Sequence, residues 1–91
     1  MELKTALAQA LRKTRTSRGL TQEDFGDVSS RTYVSSLERG LKSPTLDKLV
    51  ELATRMDVHP LSLLAEAFLL IDNEPDIEML FSRIRQDLHR Q

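Results

Sequence analysis

The sequence predicts an all-α fold, and three observations carry that reading. Apolar residues recur at spacings of three and four along nearly the whole chain. Gly, Pro and small hydroxyl residues fall between these runs, where helices stop and restart. No segment alternates with period two, and an aromatic content of 4% is low for a sheet protein.

Leu3, Leu7, Ala10 and Leu11 lie on one face of a first helix running to about Arg18. Gly19 supplies its stop, because glycine tolerates the left-handed conformation found after a helix end. Thr21-Gln-Glu-Asp24 has the form of a capping box, which predicts a short second helix reaching Asp27 or Val28. Ser29-Ser30 breaks the pattern and offers a new N-cap. A third helix then runs from about Arg31 to Arg39, closed by Gly40. Val34 and Leu37 can face inward on it, leaving Arg31, Thr32, Ser35 and Ser36 outward.

Lys42-Ser-Pro-Thr45 reads as a loop, and Thr45 can cap a fourth helix. Its predicted inner stripe is Leu46, Leu49, Val50, Ala53 and Met56. Pro60 suits the first position of a fifth helix, with Leu61, Leu64, Ala65 and Phe68 predicted inside. Asn73-Glu74-Pro75 ends it. A sixth, amphipathic helix from about Asp76 carries Ile77, Leu80, Phe81, Ile84 and Leu88. The expected organisation is one helical domain over residues 1–72 and a C-terminal helical extension over residues 73–91.

The net charge of −1 conceals a polarity. Residues 1–48 hold nine Lys/Arg and six Asp/Glu, and residues 49–91 hold four and eight. The basic half suits a phosphate-facing surface, whereas the acidic half should point away from nucleic acid. No cysteine is present, so disulfides and thiolate metal sites are excluded. His59 and His89 make a poor metal pair, and no phosphate-binding glycine loop or nucleophile signature occurs. No cofactor, metal or catalysis is expected. The longest apolar stretch, Ala67–Ile71, is far too short to span a bilayer, and the N-terminus lacks the order of a signal peptide. The expectation is a soluble cytoplasmic protein without a membrane partner.

Two short helices joined tightly, the second exposing small polar and basic groups, suit insertion into the DNA major groove. Arg31 begins that second helix, where a cation is disfavoured by the helix dipole, so it suggests an external anion. Three stretches carry a family resemblance: Gly19-Leu-Thr-Gln-Glu-Asp-Phe25, Arg31-Thr-Tyr-Val-Ser-Ser-Leu-Glu-Arg-Gly40 and Ser43-Pro-Thr-Leu-Asp-Lys-Leu49. Together they resemble the Cro and phage-repressor type of helix-turn-helix family, and in particular restriction-modification controller proteins and related bacterial regulators.

The resemblance covers about residues 5–65 and implies a compact, lambda-repressor-like bundle of five helices whose third helix reads DNA. It implies a phosphate contact at Gln22, base contacts at Arg31 and Thr32, and a groove-facing turn at Ser35 and Ser36. Arg39, Lys42 and Ser43 would meet phosphate, and Arg15 with Glu38 would form a structural ion pair. Tyr33 would either reach the DNA backbone or cover the core edge. The chain departs from the family pattern by being about two residues short between Gln22 and Glu38, with Ser29-Ser30 where a turn glycine is usual.

The expected function is a transcriptional regulator binding double-stranded DNA at a near-palindromic operator as a homodimer. The apolar residues Leu63, Leu69, Leu70, Ile77, Leu80, Phe81 and Ile84 are the candidate dimer surface. Packing of the tail against its own domain is the alternative. A second function class, an antitoxin-like or adaptor module with a protein partner, suits the same scaffold.

Overall fold

The computed structural model describes residues 1–90. Five α-helices are present: α1 (Leu3–Ser17), α2 (Arg31–Glu38), α3 (Leu46–Arg55), α4 (Pro60–Ile71) and α5 (Ile77–His89). A four-residue 3-10 turn, Gln22–Phe25, stands between α1 and α2. No strand occurs among the described residues.

Each boundary has a local cause. The Ser30 Oγ accepts the Tyr33 amide at 3.1 Å, and the Thr45 Oγ1 accepts the Lys48 amide at 3.1 Å. His59 Nδ1 accepts the Leu61 amide and the Asp76 carboxylate accepts the Glu78 amide. Four helices end in the same way. After α1 and α2 the chain turns through Gly19 and Gly40, with φ of 71° and 72°. After α3 and α4 it turns through Asp57 and Asn73, with φ of 59° and 51°. In each case the amide one residue further on reaches back to the last turn, as Leu20 does to the Arg15 carbonyl and Val58 to that of Ala53. Asp and Asn take the left-handed conformation more readily than other side-chain-bearing residues, and that allows the pattern without glycine.

The expected second helix is corrected to the 3-10 turn. Asp24 and Gly26 donate to carbonyls three residues back, as Val28 does to Phe25. Gly26 disfavours helix continuation. The Asp24 and Val28 carbonyls, which a longer helix would use, are instead taken by Arg55 Nε at 2.9 Å and Lys48 Nζ at 2.7 Å.

The main core joins Leu11, Phe25, Val34, Leu37, Leu49, Leu52, Ala53, Met56 and Leu63. A second cluster sets Ala6 and Ala10 of α1 against Ala67 of α4, with Leu70 and Ile71 packed on it. Small side chains there let the two helix backbones approach closely. The inner face of α3 is Leu49, Leu52, Ala53 and the flanking Met56. Leu46 and Val50, expected inside, are exposed. On α4 the buried residues are Leu63 and Ala67, whereas Leu61 and Phe68 are exposed and Leu64 and Ala65 half-buried. Helix α5 buries none of its residues and meets the bundle at α4.

Candidate nucleic-acid interface

Helix α2 is held along its inner face and at its C-terminal end. Val34 and Leu37 anchor it in the core. At its C-terminal end, Glu38 joins Arg15 in the most enclosed ion pair among the described residues. Arg15 Nε donates to Glu38 Oε2 at 2.6 Å and Arg15 Nη2 to Oε1 at 2.9 Å. The third arm of the guanidinium, Nη1, donates to the Leu20 carbonyl at 2.8 Å. The planar fork suits this arrangement, because one guanidinium can serve a carboxylate edge-on and a carbonyl beside it. The Arg15 pKa is raised, mainly by its hydrogen bond to Glu38.

Glu38 also accepts from Gln22 Nε2 at 3.2 Å. Gln22, Arg15 and the end of α2 therefore form one network, and the Gln22 amide has a defined direction. At the start of the 3-10 turn the Asp24 carboxylate accepts the Thr21 amide at 2.7 Å. That bond is the main reason the Asp24 pKa is lowered.

Arg31 and Thr32 are exposed at the first turn of α2, and Arg39 is exposed at its end. Ser35 is half-buried on the same outward side. Lys42 and Ser43 are exposed on the following loop. Tyr33 is half-buried against the core, and two ammonium groups approach its ring, Lys42 Nζ at 5.7 Å and Lys48 Nζ at 5.9 Å from the centroid. Tyr33 thus covers the core edge, one of the two expectations for it, with two cations beside its ring.

Two expectations are corrected here. Ser36 is not groove-facing: it is 8% exposed, and its hydroxyl donates to the Thr32 carbonyl one turn back at 3.0 Å. The 100° step of the helix sets Ser35 and Ser36 equally far from the centre of the Val34–Leu37 face, so it is the packing of α2 against the rest of the bundle that covers Ser36. Arg31 is not waiting solely for an external anion. Its Nη1 donates to Glu23 Oε1 at 2.9 Å, so an internal carboxylate answers the cation at the helix N-terminus.

Three residues absent from the sequence-based site take part in it. Glu23 pairs with Arg31, and Lys48 and Arg55 clip the segment between the 3-10 turn and α2. These partners are 8, 20 and 31 residues apart, so no local pattern could have exposed them.

The expected dimer surface divides. Leu63 is 1% exposed and belongs to the core, and Leu70 packs on the α1–α4 alanine cluster. Ile77, Phe81 and Ile84 are exposed, and Leu69 and Leu80 are half-buried. With Leu61 and Ala65, the side chains of Leu69, Ile77 and Phe81 line an open apolar cleft between α4 and α5.

Residues 11–63 match the helix-turn-helix family HTH_3. The chain belongs to this helix-turn-helix family. It is 38% identical over 60 residues to the uncharacterized HTH-type transcriptional regulator y4dJ of Sinorhizobium fredii, covering 64% of this chain and 78% of that one. The control protein C.SmaI of Serratia marcescens is 36% identical over 59 residues, covering 63% and 70%. Among solved structures, the restriction-modification controller protein C.AhdI of Aeromonas hydrophila superposes with a TM-score of 0.61 at 36% identity, over 65% of this chain and 92% of that chain. The clp gene regulator ClgR of Corynebacterium glutamicum superposes with a TM-score of 0.71 at 27% identity, over 99% and 89%. The family is one of DNA-binding regulators rather than enzymes, and this helix-turn-helix protein is a DNA-binding transcriptional regulator. None of its described helices is long and apolar enough to cross a membrane.

Proposed function

We propose that this helix-turn-helix protein binds a near-palindromic operator as a homodimer, inserting α2 into the major groove and acting as a repressor or controller in the cytoplasm. The observation that carries the reading is the outward stripe of Arg31, Thr32, Ser35 and Arg39 on a helix whose opposite side is locked into the core. A rigid helix with short or forked hydrogen-bonding groups outward is what base-edge readout requires.

Arg31 is the base reader in this proposal, its guanidinium donating to guanine O6 and N7, with Thr32 and Ser35 beside it. Gln22, Arg39, Lys42, Ser43 and the Tyr33 edge contact phosphate and set the register without reading sequence. Two copies would present their α2 helices about 34 Å apart, one turn of DNA. Dimerisation is assigned to the exposed α4–α5 face, carried by Leu69, Ile77, Leu80, Phe81 and Ile84. Residues 1–72 then form the DNA-binding unit, and residues 73–91 are the extension that carries the assembly helix α5. The unburied apolar side of α5 also supports a second reading, in which a different protein docks there.

The test is selection of bound duplexes from a random pool, followed by binding of variants across salt. Arg31→Ala should lose preference at one base pair per half-site, worth about 1–3 kcal/mol. Lys42→Ala should weaken binding to all duplexes about equally and flatten the salt dependence. Retention of full wild-type preference by Arg31→Ala would remove Arg31 from the reading.

A further inference from the structure

We infer that Glu23 is a specificity-determining residue that acts through Arg31, holding its guanidinium in the orientation that reads guanine. The inference rests on the assignment of Arg31 as a base reader.

The starting point is the 2.9 Å bond from Arg31 Nη1 to Glu23 Oε1. Both side chains are about two-thirds exposed, at 68% and 69%. An ion pair so open to water contributes little to folding. Neither side chain is needed to complete the core, and Glu23 caps no helix. The other carboxylates of the segment are engaged differently. Asp24 accepts the Thr21 amide, Asp27 stands 3.7 Å from Arg55, and Glu38 is enclosed with Arg15. Glu23 is the carboxylate of this segment that pairs with the outward arginine of α2.

The geometry leaves Arg31 able to read. Of its five N–H donors, one on Nη1 is committed to Glu23, and the Nε–Nη2 edge remains. That edge is the fork that matches two acceptors, and guanine offers two, O6 and N7, in the major groove. A free arginine side chain would have to be ordered on binding, and Glu23 does part of that ordering beforehand. Closure of the interface removes water from the pair and strengthens it.

The same contact works against other bases. A carboxylate facing DNA is repelled by phosphate unless a cation neutralises it. Guanine lets Arg31 bond the base and keep Glu23. A base pair that draws Arg31 elsewhere leaves Glu23 unpaired in the interface, which is costly.

The experiment uses the full chain with duplexes selected by the wild type. The duplexes are then varied singly at the base pair whose preference Arg31→Ala abolishes. Glu23→Ala should lose roughly fivefold to tenfold of the preference for guanine there. Its preferences at other base pairs should hold, and its circular dichroism should match the wild type. Glu23→Gln, which keeps an acceptor oxygen, should fall between the two. If Glu23→Ala instead binds every duplex more tightly by one common factor, Glu23 is only a repelling charge and the inference is overturned. If Arg31→Ala itself keeps the wild-type preference, the fault lies in the assignment of Arg31 and not in the role of Glu23 alone.

Discussion

Arg15 and Glu38 meet edge to edge, with 2.6 Å between Nε and Oε2 and 2.9 Å between Nη2 and Oε1. The pair ties the end of α1 to the end of α2, and both side chains are largely shielded, at 12% and 3% exposure. Removing Arg15 would leave the Glu38 charge enclosed with the neutral Gln22 amide as its remaining side-chain donor. Arg15→Ala should therefore cost about 3 kcal/mol in chemical denaturation. A loss below about 1 kcal/mol would show that water replaces the guanidinium freely.

Acidification should weaken the start of the 3-10 turn. The folded state lowers the Asp24 pKa, chiefly through the Thr21 amide and further through the nearby Arg55. A lowered carboxylate pKa contributes stability that is present above the ordinary value and lost as pH falls through the folded one. Asp24→Asn should flatten the thermal-melt dependence on pH in that acidic window and leave the slope near neutrality unchanged. An unaltered acid slope would remove Asp24 from this role.

Leu63 and Phe81 should part company. Leu63→Ala should cost about 2–5 kcal/mol, because it opens a cavity in the main core, while folded protein keeps its oligomeric state. If the proposed α4–α5 interface holds the dimer, Phe81→Ser combined with Ile84→Ser should instead yield monomers in sedimentation at concentrations where the wild type is expected to dimerise. Dimers that persist in the double variant would place the interface elsewhere.

Adjacent serines on α2 should behave differently. The Ser36 hydroxyl is satisfied by the Thr32 carbonyl and is turned inward. Ser36→Ala should leave operator preference unchanged and shift stability by no more than about 1 kcal/mol. Ser35→Ala should alter operator affinity without a comparable change in melting temperature. Equal effects on operator preference from the two variants would contradict the orientation of α2.

Gly40 should resist substitution for a backbone reason. Its φ is 72°, and an added Cβ would meet Ala8 and Thr5 atoms at an ordinary 3.9 Å. Gly40→Ala should cost about 1 kcal/mol from the left-handed conformation alone. A loss of several kcal/mol would indicate a steric clash instead.

Much of the architecture was legible along the chain. Gly19 and Gly40 do end α1 and α2, and Ser30, Thr45 and Pro60 do open the helices that follow them. Such signals are local, because a cap or a left-handed turn acts within about one helical turn. The faces of α3 and α4 were not legible. Leu46-Leu49-Val50-Ala53 and Leu49-Leu52-Ala53-Met56 are both acceptable helical stripes, and α4 is apolar on nearly every side. Periodicity cannot choose between overlapping stripes.

The sequence by itself determined an all-α chain and the position of α2, since these rest on caps and spacing, and its family resemblance implied the pairing of Arg15 with Glu38. Tertiary structure decided the rest. It turned Ser36 and Leu63 inward, reduced the second helix to a 3-10 turn clipped by Lys48 and Arg55, and set Glu23 against Arg31. Those outcomes depend on which distant side chain arrives to take a carbonyl, a charge or a core position. No short-range rule contains that information, because the partners become neighbours only when the helices pack.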